Sequence, residues 1–406
     1  MPEAVIVAAA RSPIGRAGKG SLRELRADDL AASMVAAALA QVPQLDPSTI
    51  DDLMLGVGQP AGEQGYGLAR VVSLLLGLDG VPGTTVQRYC ASSLQSTRMA
   101  LHAIRSGEGS VFVSAGVEMV SRYSLGKSDG FPGTHNSVFA AAEQRTASRT
   151  PISDTAWTDP RAAGLLPDAY IAMGETAENV AELYQVSRAD QDEWALRSQT
   201  LAAKSTADGF WARDITPVTL PDGTVISTDD CPRPSTTLEG LAGLKPVFRE
   251  TGTVTAGNCC PLNDGAAALV IMSDVRAAEL GITPLARILG TGVSGLSPEI
   301  MGVTPIEATR RALANAGLTI ADLDLFEINE AFAAQVLPSI RELGLDESIV
   351  NVQGGAIAIG HPFGQTGARI TTTLLHALEW NDKEIGLETM CAAGGQGMAM
   401  VLQRLS

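Results

Sequence analysis

MALHAI, Met99 to Ile104, recurs as TLLHAL, Thr373 to Leu378, with His102 and His376 in the same slot 274 positions apart. Upstream, DDLMLGVG (Asp51 to Gly58) is echoed by DLDLFEIN (Asp322 to Asn329) at nearly the same offset. The chain therefore reads as two similar halves, and a repeat of this kind governs how every other signal is placed. Each half offers an Asp-Leu strand, a linker, a second short strand, a polar break and an amphipathic helix. That order predicts α/β units with mainly parallel pairing. The helix rests on spacing: Leu94, Leu101 and Ile104 share one face, while Arg98, His102 and Arg105 share another. His102 and His376 read as helix-surface or packing residues, outside any site.

Between the halves, roughly Val120 to Cys260, the texture changes. A polar, turn-rich stretch without periodicity gives way to Met173–Ser205, which predicts helices joined near Val186-Ser187-Arg188, with Ser187 and Asp190 forming an N-terminal cap. An excursion this long from a compact half suits a binding loop or a lid.

Composition narrows the function. With 406 residues and 45% hydrophobic content, the chain can bury a large core and divide into two or more domains. A formal charge of −16 and a pI near 4.7 exclude a broad phosphate-neutralising surface, so no nucleic-acid partner is expected and an anionic substrate needs a local basic patch. Met1 to Ser12 lacks a basic leader region, no apolar run reaches the ~18 residues of a membrane span, and Gln403-Arg404-Leu405-Ser406 matches no organelle address. A cytoplasmic location is the expectation. Cys90, Cys231, Cys259, Cys260 and Cys391 are too few and too irregular for a disulfide scaffold, and their distance in sequence from the histidines argues against a metal site.

Four stretches carry chemistry. In TVQRYCASSLQS (Thr85 to Ser96), Cys90 stands where an extended run breaks into a helix. It reads either as a small buried hydrophobe or as a thiol facing helix N–H groups and the positive dipole end, which favour thiolate. In GGAIAIGHPFGQTGAR (Gly354 to Arg369), glycines permit close backbone approach and His361-Pro362 holds an imidazole in an extended turn; the Gly-Lys-Ser/Thr of a nucleotide loop is missing. By the repeat, His361 and Cys90 should project from equivalent strand ends, which makes a Cys–His pair from opposite halves plausible. TMCAAGGQGMAM (Thr389 to Met400) sets Cys391 before small residues whose N–H groups suit an oxyanion, although a core cysteine fits equally. EINEAFAAQ (Glu327 to Gln335) puts Asn329 at a strand end, where Asn is often only a turn former.

In combination these stretches resemble the thiolase family, acyltransferases that make or cleave 3-oxoacyl-CoA. CASSLQS resembles the nucleophile motif, NEAF the family tetrapeptide, GHPFGQTGAR the Gly-His-Pro motif and CAAGGQG the second-cysteine motif, in the family's order across nearly the whole chain. The resemblance implies a duplicated thiolase-like fold, two αβα halves in a five-layer αβαβα core: 1–119 plus about 261–280, an inserted loop domain at 120–260 that covers CoA, and 281–406. It implies Cys90 as the acyl-accepting nucleophile, His361 as its base and an oxyanion donor, and Cys391 as acid/base. Asn329 would act on an oxyanion through a held water, and the N–H groups of Cys90 and Ala393 would hold the tetrahedral species. Coenzyme A enters as a substrate, with acyl-CoA and acetyl-CoA as partners and no permanently bound cofactor. Arg233, Phe248, Cys260 and Met173 fall on the CoA or acyl side, and a homodimer or homotetramer is implied.

Three departures from the family pattern stand out. Ser93 and Ala393 occupy positions where glycine is frequent; a methyl at Ala393 keeps the N–H but narrows the site, and whether Ser93 trims the pocket beside Cys90 is left open by the sequence. Cys260 occupies a position where many relatives carry a serine that hydrogen-bonds pantetheine, and a thiol donates poorly. The Ser92-Ser93 form, with Ala172 before Met173, leans toward degradative cleavage, as in β-oxidation, over biosynthetic acetoacetyl-CoA formation. A ketoacyl synthase is disfavoured by Cys391, and an idle acyl-CoA-binding protein by the full catalytic set.

Overall fold

The computed structural model describes residues 1–128, 131–149 and 157–406. The first half lays down β1 (Ala4–Arg11), the short β2 (Gly15–Arg16), α1 (Ala27–Ala40), β3 (Asp52–Val57), α2 (Leu68–Leu75), β4 (Gly83–Val86), α3 (Ser92–Ser106) and β5 (Val111–Met119). The excursion then holds α4 (Ala140–Arg149), α5 (Met173–Leu183), α6 (Arg188–Ala207), α7 (Phe210–Asp214), the hairpin strands β6 (Val218–Thr219) and β7 (Val225–Ile226), and α8 (Leu238–Ala242). The chain returns in β8 (Asn263–Ser273) and passes through α9 (Asp274–Leu280). The second half follows with β9 (Ala286–Gly295), α10 (Thr304–Ala316), β10 (Leu325–Ile328), α11 (Ala333–Leu343), α12 (Ala356–Ile359), α13 (Thr366–Trp380), β11 (Ile385–Ala392) and β12 (Gln396–Arg404). Ser187 and Asp190 form the expected capping box at the start of α6.

Strand order repeats between halves. The first runs β1-β8-β5-β3-β4 and the second β9-β12-β11-β10, joined only where Val5 and Ile6 pair with Arg287 and Ala286. In both, the outer strands are parallel and the inner pairs antiparallel. The expected mainly parallel pairing is thus corrected to a mixed sheet. β12 follows β11 through a tight turn, and only an antiparallel strand can do so.

Three apolar clusters stack the layers. Val5 and Val7 of β1 face the α1 side, while Ala4 and Ile6 face α3 and α13, so both faces of the sheet are covered. That explains the unbroken apolar runs of β1 and β8, since strands buried on two faces lose the alternation of a half-exposed strand. α3 and α13 pack on each other and on strands of both halves, α1 and α2 cover the first half-sheet, and α10 and α11 the second. This is the five-layer αβαβα arrangement.

α3 and α13 begin at one place because their starts have no side chain in the way. A Cβ on Gly367 would lie 2.2 Å from Leu94 N, and one on Gly116 would lie 2.1 Å from Gly364 O. Ser93 Oγ accepts the Ala368 N–H at 2.9 Å across the same seam. The repeat breaks in one respect. Where the first half has β4, the second has only a bridge between Phe326 and Val350, followed by the single turn α12. His361 therefore follows a helical turn and not the strand end that the repeat had suggested; Gly355, which opens that turn, has no room for a side chain beside the Glu330 carboxyl.

Candidate active site

Cys90 is presented by a strained turn. Tyr89 takes φ +45°, which costs an L-residue roughly 1–2 kcal/mol, and Ser92 Oγ holds the turn by accepting the Arg88 N–H at 2.9 Å and donating to Tyr89 O at 2.6 Å. The thiol receives the backbone N–H of Ala393 and lies against its own N–H, yet burial, with Glu118 nearby, pushes it up to about 12. The helix start was expected to favour thiolate. In the closed apolar site desolvation outweighs it, and the resting group is a thiol.

His361 is fully buried, and burial together with Arg369 lowers its proton affinity to about 3, so the ring is neutral. Its tautomer follows from its neighbours. Thr366 Oγ1 donates to Pro362 O at 2.7 Å, which leaves that hydroxyl as acceptor for His361 Nδ1–H at 2.6 Å. Nε2 then carries the lone pair and accepts from Asn329 Nδ2 at 3.2 Å. The His361 N–H is fixed by Asn263 Oδ1 at 2.9 Å, and the ring meets Phe363 edge-on at 5.1 Å. Asn329 Oδ1 is buried with no protein partner among the described residues.

Cys391 ends β11, with its Sγ 3.4 Å from Gln335 Oε1, and burial and the adjacent Cys90 push it far above the usual thiol range. Beyond it Gly394 and Gly395 both take φ +76°, turning the chain so that the Ala393 N–H meets Cys90. Arg88 Nη1 bonds Gln396 Oε1 at 3.0 Å, which pins this turn to the turn of Cys90. Cys90, Ala393 and Cys391 thus come together, and His361 comes together with Asn329. No direct hydrogen bond links Cys90 to His361 among the described residues; their loops join through Ser93, Gly364 and Gly367.

The residues expected on the CoA side divide in two. Cys260, its N–H on Ala331 O at 3.0 Å, lies within electrostatic reach of Cys90 and Cys391 and packs with Met173 and Phe248 on the cluster that holds Cys391. The Phe248 ring sits on Gly174, where no side chain fits, and meets Phe332 edge-on at 6.1 Å. Arg233 is exposed and lines a cleft of about 220 Å³ with Gln199, Leu241, Leu244 and Cys259.

Ser93 does not trim a pocket. It is fully buried in the α3–α13 seam, which answers the question its place beside Cys90 had raised. Sequence reasoning also missed Gln335, Thr366 and Glu118. Glu118 had a visible signal, a carboxylate inside the apolar run VFVSAGVEM, which a fully buried strand tolerates only when the charge is satisfied.

Residues 4–275 match the model of the thiolase N-terminal domain and 282–404 that of the thiolase C-terminal domain. The chain belongs to the thiolase family. Among its thiolase relatives, the 3-oxoadipyl-CoA/3-oxo-5,6-dehydrosuberyl-CoA thiolase of Escherichia coli K12 is 45% identical over the full length of both chains, and the 3-ketoacyl-CoA thiolase of Cronobacter sakazakii is 42% identical, also over the full length of both. The crystal structure of Bacillus anthracis acetyl-CoA acetyltransferase superposes with a TM-score of 0.86 at 40% identity, covering 100% of this chain and 99% of that one. Human mitochondrial 3-ketoacyl-CoA thiolase in complex with CoA gives 0.85 at 35% identity, covering 100% and 98%. Family membership makes the protein an acyltransferase. Among the described residues, no helix is long and apolar enough to cross a membrane.

Proposed function

We propose that the protein cleaves 3-oxoacyl-CoA with CoA to acetyl-CoA and a shortened acyl-CoA, reversibly, through an acyl thioester on Cys90. The observation that carries this reading is the meeting of two buried thiols from opposite halves, with the Ala393 N–H on the first. Cys90 attacks the 3-oxo carbon as its proton passes to the Nε2 lone pair of His361, displacing the Asn329 Nδ2–H that rests on it, and the N–H groups of Cys90 and Ala393 receive the oxyanion. Breaking the C2–C3 bond releases the acetyl-CoA carbanion, which takes the proton of Cys391. Incoming CoA gives its thiol proton to Cys391 and attacks the acyl group; His361 returns its proton to Cys90. A neutral His361 and an un-ionised Cys391 suit these roles of base and acid. Asn329 Oδ1, buried and unpartnered, suits a water that serves the enolate.

Coenzyme A is read as a substrate, with Arg233 at its nucleotide end and Met173, Phe248 and Cys260 along pantetheine and acyl chain; no permanent cofactor is required. Degradative use is favoured by the relatives named for 3-oxoadipyl-CoA and 3-ketoacyl-CoA cleavage, and a cytoplasmic setting by the unpaired cysteines. A second copy is read against β4. This strand is one of the sheet's two edges, and the buried atoms Asp52 Oδ1, Gln95 Oε1 and Arg98 Nε near it lack partners among the described residues while their side chains line one groove. The test is thiolysis of acetoacetyl-CoA, a longer 3-oxoacyl-CoA and 3-oxoadipyl-CoA by the wild type and Cys90→Ala. Acetyl-CoA should form with an acyl group trapped on the Cys90 peptide, and Cys90→Ala should lose at least ~1,000-fold. An active Cys90→Ala refutes the mechanism, and strong preference for acetoacetyl-CoA refutes the degradative use.

A further inference from the structure

We infer that Glu118 is a positioning residue of this site: its buried carboxylate joins the strand end behind Cys90 to the His361 loop and sets a standing negative charge against the Cys90 thiol. The inference rests on Cys90 being the nucleophile. Glu118, near the end of β5, is 0% exposed and accepts from Gly58 N at 2.7 Å, Gly364 N at 2.8 Å, Gln59 N at 3.3 Å, Gln64 Nε2 at 2.6 Å and Tyr123 Oη at 2.8 Å. All five partners are donors. Four of them can only donate, and Tyr123 Oη alone could accept a hydrogen from a protonated carboxyl, so the contact set favours the anion while burial raises the proton affinity of the group.

The two halves of this clasp are the two halves of the site. Gly58 follows β3, whose end abuts the Cys90 helix: Ser92 Oγ lies 3.3 Å from Val57 O, and a Cβ on Gly56 would lie 2.4 Å from Ser93 N. Gly364 is three residues beyond His361, and a Cβ there would lie 2.3 Å from Val117 O. Backbone meets backbone at this junction, and among the described residues Glu118 is the charged group that bonds both sides. None of its five donors carries a charge. The titratable groups facing it are Tyr123 and Cys90; those facing Cys90 are Glu118, Cys391 and Cys260, while Arg88 of the same turn is turned to Gln396. The anion therefore opposes a resting thiolate, and Cys90 gives up its proton only as it attacks.

The test measures alkylation of the Cys90 peptide by iodoacetamide against pH, together with thiolysis, in the wild type, Glu118→Gln and Tyr123→Phe. Glu118→Gln removes the charge at nearly constant volume, although its NH2 replaces one acceptor oxygen of the clasp; its alkylation profile should move about one pH unit lower, with kcat reduced at least ~10-fold and KM for CoA unchanged. Tyr123→Phe takes one donor from the carboxylate, raises its proton affinity further, and should move the profile the same way by less as the carboxylate takes up a proton. It also decides the matter if Glu118→Gln does not fold. An unshifted profile in the folded variants overturns the inference and leaves Glu118 a structural clasp. A protein whose thiolysis survives Cys90→Ala instead overturns the parent reading.

Discussion

Ser93 Oγ fills the hydrogen-bonding capacity of the Ala368 N–H at the start of α13, where no water reaches. Ser93→Ala strands that N–H in the core, and an unsatisfied buried donor costs about 1–3 kcal/mol. Thermal unfolding should show that loss, while the ratio of kcat/KM between short and long 3-oxoacyl-CoA substrates stays at the wild-type value; a changed ratio would return Ser93 to the pocket wall. The residues legible in sequence were those whose type is chemistry: two cysteines, a histidine and an asparagine each sit in a motif. What sequence could not show was their protonation. Cys90 has the helix start that favours thiolate, but its state is decided by apolar packing and by Glu118 from a strand 28 positions on.

At the scale of elements, the repeat announced both α3 and α13, but only α3 shows an amphipathic spacing of its own. α3 keeps an exposed face, with His102 in solvent, so its 3.6-residue spacing shows. α13 runs through the centre of the molecule, and its polar residues are buried by bonding inward: Thr371 and Thr372 donate to Gly367 O and Ala368 O, each at 2.8 Å, and His376 Nδ1 lies 2.8 Å from the buried Asp214. An amphipathic reading cannot describe a helix whose only exposed residues, Glu379 and Trp380, lie at its end. The glycines at its start carry the packing instead. Gly367→Ala drives a methyl into Leu94 N and should destabilise the fold by about 3 kcal/mol, with kcat falling because the starts of α3 and α13 separate. Gly80→Ala, with nothing within 4 Å of the new methyl, should change stability by less than about 0.5 kcal/mol. Equal melting shifts for the two would refute the close-approach argument.

The whole molecule stores ionisable groups where the second half-sheet meets α13, and this sets how its stability answers to pH. Glu327 and Glu388 are paired residues on the neighbouring strands β10 and β11, with Arg369 of α13 close by. Burial pushes both from 4.5 up to about 8. The folded state thus holds protons that the unfolded chain releases, and the stability they confer is lost as pH rises from 4.5 to about 8. His361 acts the other way: lowered from 6.5 to about 3, it takes a proton only on unfolding, so its contribution is lost as pH falls through that window. Asp214, held near 2 by Arg11 and His376 against its burial, adds a loss as pH falls below 3.8. Two carboxylates outweigh one imidazole between 4.5 and 6.5, and above 6.5 they act unopposed. The melting temperature should therefore fall steadily from about pH 5.5 to pH 8, more steeply in the upper part, as calorimetry across that range would show. The double variant Glu327→Gln/Glu388→Gln should flatten the fall, because an amide has no proton to lose. If the slope persists in that variant, the buried pair is not its source, and the −16 charge of the chain, whose self-repulsion grows as remaining groups ionise, is left to account for it.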